Sequence, residues 1–96
     1  MNLNPTELRE LQISLSDRIF IQVAGWHLYL GDAGLAESLA IECAAKLDQG
    51  VSVAVRKSLE SIQVSLAGGS TRLPLARLIP PAQILDLEEI LDPYCR

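Results

Sequence analysis

The chain has 96 residues, a formal net charge of -4, 49% apolar residues and only four aromatic ones. That is one domain's worth of sequence, residues 1–96, with a core of Leu, Ile, Val and Ala in place of an aromatic-lined ligand pocket. The ordinary content of charged residues argues against disorder, and the acidic balance argues against nucleic acid, which needs a clustered basic surface.

The start, MNLNPTELRE, brings Glu7 and Glu10 where a secretory signal would place basic and then apolar residues. Asn2 offers no myristoylation site, and Cys95 is too near the end for a prenylation box. From Leu8 onward, Leu11, Leu15, Ile19, Val23, Trp26 and Leu30 recur at steps of three and four. This stripe predicts a helix from Pro5 to Leu30, with Asn4 as N-cap and Glu7 in the first turn. Such a helix would be roughly 35–40 Å long, more than a domain this small can cover, so it must kink near Gly25 or SLSD, or project. Its longest nearly apolar run, Ile19 to Leu30, is interrupted by Gln22 and His27 and falls short of the ~20 residues that span a bilayer. A second apolar line, Ile13, Phe20 and Ala24, widens the buried arc and predicts another neighbour, a second copy of the chain or a different partner.

Gly31 is expected to end that helix in a left-handed cap, and Asp32 to open the next as N-cap. Leu35, Leu39, Cys43 and Leu47, flanked by Ala36, Ala40 and Ala44, form the second helix of an antiparallel hairpin, stopped by Gly50. Val51, Val55, Leu59 and Ile62 predict a short third helix; the alternation of Val51, Val53 and Val55 keeps a strand open as the competing reading. Ile62, Val64 and Leu66 then alternate, Gly68-Gly69 turns the chain, and Leu73 and Leu75 alternate in their turn. That is a β-hairpin, with Pro74 on an edge strand. Pro80-Pro81 opens a closing helix with Ile84, Leu87 and Leu91 on one side, and Pro93 ends it. The fold class expected is α+β: an antiparallel helix hairpin plus a short third helix, a β-hairpin and a C-terminal helix.

Little chemistry is carried by these residues. His27 and Cys43 would make a thiol–imidazole pair if they met, the basis of a thiol-dependent enzyme or a small-molecule site. No third orienting residue accompanies them, and the simpler reading has His27 as a buried or interfacial donor and Cys43 as a small apolar packer. Cys43 and Cys95 lack metal-type spacing, so no metal or other cofactor is expected, and reduced thiols in a cytoplasm are the default. The glycines of AGGST belong to no phosphate-binding motif. Arg56, Lys57, Arg72 and Arg77 suggest a small basic patch, more simply a solvated surface. Trp26 and Tyr29, three apart, would share a helix face, as an interface anchor or, more simply, as a cap on one end of the core.

WHLYLGDAGLAESLA, followed by the Gly-Gly turn and LPLARLIP, resembles a family of short cyanobacterial proteins carrying a domain of unknown function. The likeness covers most of the chain, and its most specific element is the WHLYL-x-DA stretch. The resemblance implies a cytoplasmic protein of a photosynthetic bacterium and brings no catalytic residues.

The function expected is that of a small non-enzymatic interaction or assembly protein, a homodimer or an accessory subunit of a larger complex. Its interface candidates are Ile13, Phe20, Trp26, His27 and Tyr29. The rival is the small-molecule or thiol site at His27 and Cys43.

Overall fold

The first helix ends at Arg18, well before the apolar stripe that predicts it runs out at Leu30. The computed structural model of the protein describes residues 3–23, 25–66 and 69–95. Helix α1 (Pro5–Arg18) starts as expected. The Asn4 side chain accepts the Glu7 N–H at 2.8 Å, and the Glu7 carboxylate accepts the Asn4 N–H at 3.2 Å, a reciprocal cap.

Beyond Arg18 the chain turns into strands β1 (Phe20–Val23) and β2 (Trp26–Tyr29), an antiparallel hairpin pairing Phe20 with Tyr29 and Val23 with Trp26. The expected long helix is thus corrected. Ile19, Ile21 and Val23 are β-branched and alternate, so as a strand they face one way. Ile19 and Ile21 are buried and Val23 packs against the core. Gly25, in the connection, has φ +84°, a left-handed value that suits a tight hairpin and no helix. Residues 19, 23, 26 and 30 also satisfy the helical spacing, which is why the stripe overran. Ala24, counted in the second apolar line, lies outside the described residues.

The corner moves as well. Leu30–Ala33 form one short helical turn, α2, straight after β2, with Tyr29 as its cap. Gly31 lies inside that turn without a left-handed φ; the left-handed position is Gly34, at φ 72°, whose N–H reaches the carbonyls of Gly31 and Leu30. Asp32 is within α2 and caps nothing: helix α3 (Ala36–Lys46) begins after Leu35, with no side-chain cap.

The expected pairing of two helices survives between α1 and α3. They run antiparallel, since Leu3 and Leu8 at the start of one lie beside Ile41, Ala44 and Ala45 near the end of the other. Leu39, Ala40 and Cys43 are the buried stripe of α3. A 3-10 turn (Leu47–Gln49) and Gly50, at φ 104°, lead into α4 (Val51–Ser61). That segment is helical despite its alternating valines, because Ala54, Val55, Ser58 and Leu59 make one buried stripe. Glu42 Oε1 ties α3 to α4: it accepts from Lys46 Nζ at 2.9 Å and from Ser61 Oγ at 3.0 Å, and both bonds hold the Glu42 carboxyl below its usual pKa.

Strands β3 (Gln63–Leu66) and β4 (Thr71–Pro74) form the second hairpin, with Gln63 opposite Pro74 and Leu66 opposite Thr71. Gly69 has φ 94°, and Gly68 lies outside the described residues. A 3-10 turn (Leu75–Arg77), helix α5 (Pro81–Leu91) and a last 3-10 turn (Asp92–Tyr94) close the chain. Among the described residues the fold is therefore α+β, with five α-helices and two separate two-stranded antiparallel sheets.

One apolar cluster joins Leu11 and Leu15 of α1, Leu39 of α3, Leu59 of α4 and Leu87 of α5. Burying each such leucine stabilises the fold by about 1.5–3 kcal/mol before entropy is counted. The Cα radius of gyration, 12.7 Å, is what a chain this long reaches when packed around one core, ~13 Å. No helix among the described residues is long and apolar enough to cross a membrane.

Candidate functional site

The pleat of the first hairpin sorts the aromatic residues. Phe20, Gln22, His27 and Tyr29 fall on one face, and Ile21, Val23, Trp26 and Leu28 on the other. Ile21 carries the second face into the core. On the first face, the Phe20 ring stacks on His27 with centroids 4.5 Å apart and meets Tyr29 edge-on at 5.6 Å. Gln22 Nε2 lies 3.1 Å from His27 Nε2, so in this arrangement the amide donates and that ring nitrogen accepts. All four residues of β2 are exposed; Trp26 is 77% exposed and Tyr29 43%.

Three expectations are corrected here. Trp26 and Tyr29 do not share a helix face: an odd spacing on a strand puts them on opposite faces. His27 is exposed, so of the two places expected for it, core and interface, the core is excluded. Ile13, 55% exposed, is not in line with Phe20 on one helix; it sits on the outer flank of α1 at helical spacing from Arg9, Glu10 and Asp17, opposite the buried Leu11 and Leu15. Phe20, His27 and Tyr29 are brought together on one face of the hairpin and Trp26 stands on its other face; Ile13 is left on a different element.

The hairpin is held from behind. Phe20 N–H donates to Gln83 Oε1 at 2.9 Å, and Gln83 Nε2 donates to Asp86 Oδ2 at 2.9 Å. Gln22 N–H donates to the Leu78 carbonyl at 2.9 Å. The outer edge of β1 is therefore bonded to α5 and to the turn before it. Gln83 is 7% exposed and escapes a reading of the sequence as polar residue on a helix. Its signal is position: it precedes Leu87 by one helical turn on the inward stripe of α5.

Cys43 is wholly buried, and burial pushes its thiol up to about 11, against a weaker opposite pull from Ser58. The Ser58 hydroxyl is enclosed beside that thiol, with no nitrogen or oxygen partner among the described residues. No hydrogen bond joins Cys43 to His27 among the described residues; one is in the core of α3 and the other on the face of a strand.

A family model described as "Protein of unknown function (DUF3181)" matches residues 8–94, from within α1 to the last 3-10 turn. The chain belongs to the DUF3181 family. That description names no activity, ligand or partner. No curated protein and no solved structure matches the chain significantly.

In this DUF3181 chain a groove of about 350 Å³ also opens between α4 and α5, with Val55, Leu59 and Ile84 along it and Arg56, Glu60 and Glu88 among its charged lining. No group of three His, Cys, Asp or Glu among the described residues is placed to hold a metal ion. The ion pair found among them is Lys46–Glu42; none joins Arg56, Lys57, Arg72 or Arg77 to α5.

Proposed function

We propose that this DUF3181 chain is a small non-enzymatic interaction or assembly protein, a homo-oligomer or an accessory subunit of a larger complex. The observation that supports it is the first hairpin: Phe20, Trp26, His27 and Tyr29 on a strand pair pinned from behind by Gln83 and Leu78. Trp and Tyr are the residues most able to anchor an interface, because each adds a large apolar area with few rotamers to freeze. Ring stacking on Phe20 and the backbone bonds to α5 order the surface before any partner arrives, which lowers the entropic cost of association. The rival thiol chemistry is disfavoured by Cys43 itself, buried and protonated at physiological pH. A cytoplasmic location is supported by two free cysteines, Cys43 and Cys95, as in a reducing compartment. A cyanobacterial origin rests on the resemblance carried by WHLYL-x-DA.

The test is a paired recovery from the source cell. The tagged chain and its Trp26→Ala/Tyr29→Ala variant are cross-linked in the cell, purified and quantified by mass spectrometry. A protein, or untagged copies of the chain, recovered with the first and lost with the second is the expected result. Equal recovery from two chains of equal melting temperature would remove the hairpin as the contact surface.

A further inference from the structure

We propose that the open edge of β2 is a self-association site, where a second copy of the chain adds its own β2 antiparallel about a two-fold axis. The two hairpins then form one four-stranded sheet. This rests on the hairpin being the contact surface and names the partner that it takes.

The backbone argues first. Leu30 N–H bonds the Ile19 carbonyl, and the N–H groups of Phe20 and Gln22 point away from β2, to Gln83 and Leu78. Antiparallel ladders alternate, so Ile21 and Val23 bond to Leu28 and Trp26, and His27 and Tyr29 turn their N–H groups outward. β1 is the sole strand paired with β2 among the described residues, and every residue of β2 is exposed. The Tyr29 carbonyl is taken by the first turn of α2, so the edge offers the N–H groups of His27 and Tyr29 and the His27 carbonyl, and a two-fold axis at His27 makes its donor and acceptor complementary to those of a second copy. Two strands alone are marginal in water; four are not.

Charge argues for a copy over another partner. Proteins keep edge strands apart with charges and prolines. β4 carries both, Arg72 and Pro74. Trp26-His27-Leu28-Tyr29 carries neither proline nor Asp, Glu, Lys or Arg, and no such charge occurs anywhere from Ile19 to Gly31. Two copies of a chain of net charge -4 repel over most approaches, and this neutral strip lets them meet without facing like charges. An acidic or basic segment of another protein would find no countercharge on it.

Side chains set the register. Centring the pair on His27 places Trp26 of each copy across from Leu28 of the other, covering two exposed apolar residues twice. Two four-residue strands make an interface smaller than the standard ~1,600 Å², so the dimer is weak and reversible.

Sedimentation equilibrium reads the mass from low concentration to roughly 500 µM, the range a small interface demands. The expected result is a rise from 10.5 kDa toward twice that mass, with slower amide exchange at His27 and Tyr29 as concentration rises. Trp26→Lys sets a charge across from Leu28 of the other copy and two like charges diagonally on one face, and His27→Pro removes an outward donor. Both are expected to stay monomeric where the parent is dimeric, with the parent's helical circular dichroism; Trp26→Lys answers the question if His27→Pro does not fold. A parent that stays monomeric throughout, or a dimer that Trp26→Lys leaves intact, overturns the proposal. If the parent is monomeric while the hairpin variant loses a different protein in the cell, self-pairing fails and the contact surface stands; if neither is seen, both fail.

Discussion

Gly31 of α2 lies against Ser16 of α1 so closely that a Cβ added to it would sit 3.0 Å from the Ser16 Cβ and 3.3 Å from the Ser16 carbonyl oxygen. The position needs a missing side chain, not a left-handed backbone. Gly31→Ala is expected to destabilise the fold by about 1–3 kcal/mol, the usual cost of forcing an extra carbon into a packed contact. Ser16→Gly in the same chain should recover part of the loss, since it removes one of the two obstructing atoms. Denaturant melts of the single and double variants measure this, and a neutral Gly31→Ala would exclude a tight contact.

Gly34, three residues on, is the position where the backbone itself requires glycine. Its φ of 72° costs a residue with Cβ about 1 kcal/mol, so Gly34→Ala is expected to lower stability by that amount although nothing lies within 4 Å of an added Cβ. Asp32 caps no helix, so Asp32→Ala should stay within about ±0.5 kcal/mol. Matching losses at Asp32 and Gly34 would restore the corner to Asp32.

Gln83 holds the first hairpin through the backbone of Phe20. Gln83→Leu leaves that N–H without its acceptor, and the expected cost is about 1–3 kcal/mol. Hydrogen exchange gives a sharper reading: the Phe20 amide should speed up more than the amides of α3. An unchanged Phe20 exchange rate would show that the bond contributes nothing.

Cys43 makes stability depend on alkaline pH. Burial raises its thiol from 9.0 to about 11, so in that window the unfolded chain has lost a proton that the folded chain keeps. Stability must therefore fall as pH rises from about 9 to about 11, and this contribution is flat below pH 9. Cys43→Ala is expected to lower stability at every pH through its cavity but to flatten that slope. Iodoacetamide at pH 8 should label Cys95, which is exposed, and reach Cys43 only in denaturant. Rapid labelling of Cys43 in the folded chain would contradict its enclosure.

The sequence by itself determined the elements whose signals are local. Asn4, Pro5 and Glu7 start α1 because a cap needs only the residues beside it. Leu39 and Cys43 on α3, the hairpin before Pro74, and Leu87 and Leu91 on α5 are legible because one period and one set of breakers describe each of them. Residues 19–34 are different. Ile19, Val23, Trp26 and Leu30 fit a helix, while Ile19, Ile21 and Val23 fit a strand, and no local rule ranks the two. The tertiary structure decided it. A strand lets Ile19 and Ile21 enter the core together and gives the N–H groups of Phe20 and Gln22 partners on Gln83 and Leu78, more than fifty residues away. The choice moved Trp26 and Tyr29 from one face to opposite faces and left His27 on an open edge. The candidate site is therefore made of residues that composition singles out, in an arrangement set by distant packing and hydrogen bonds that the order of the residues does not display.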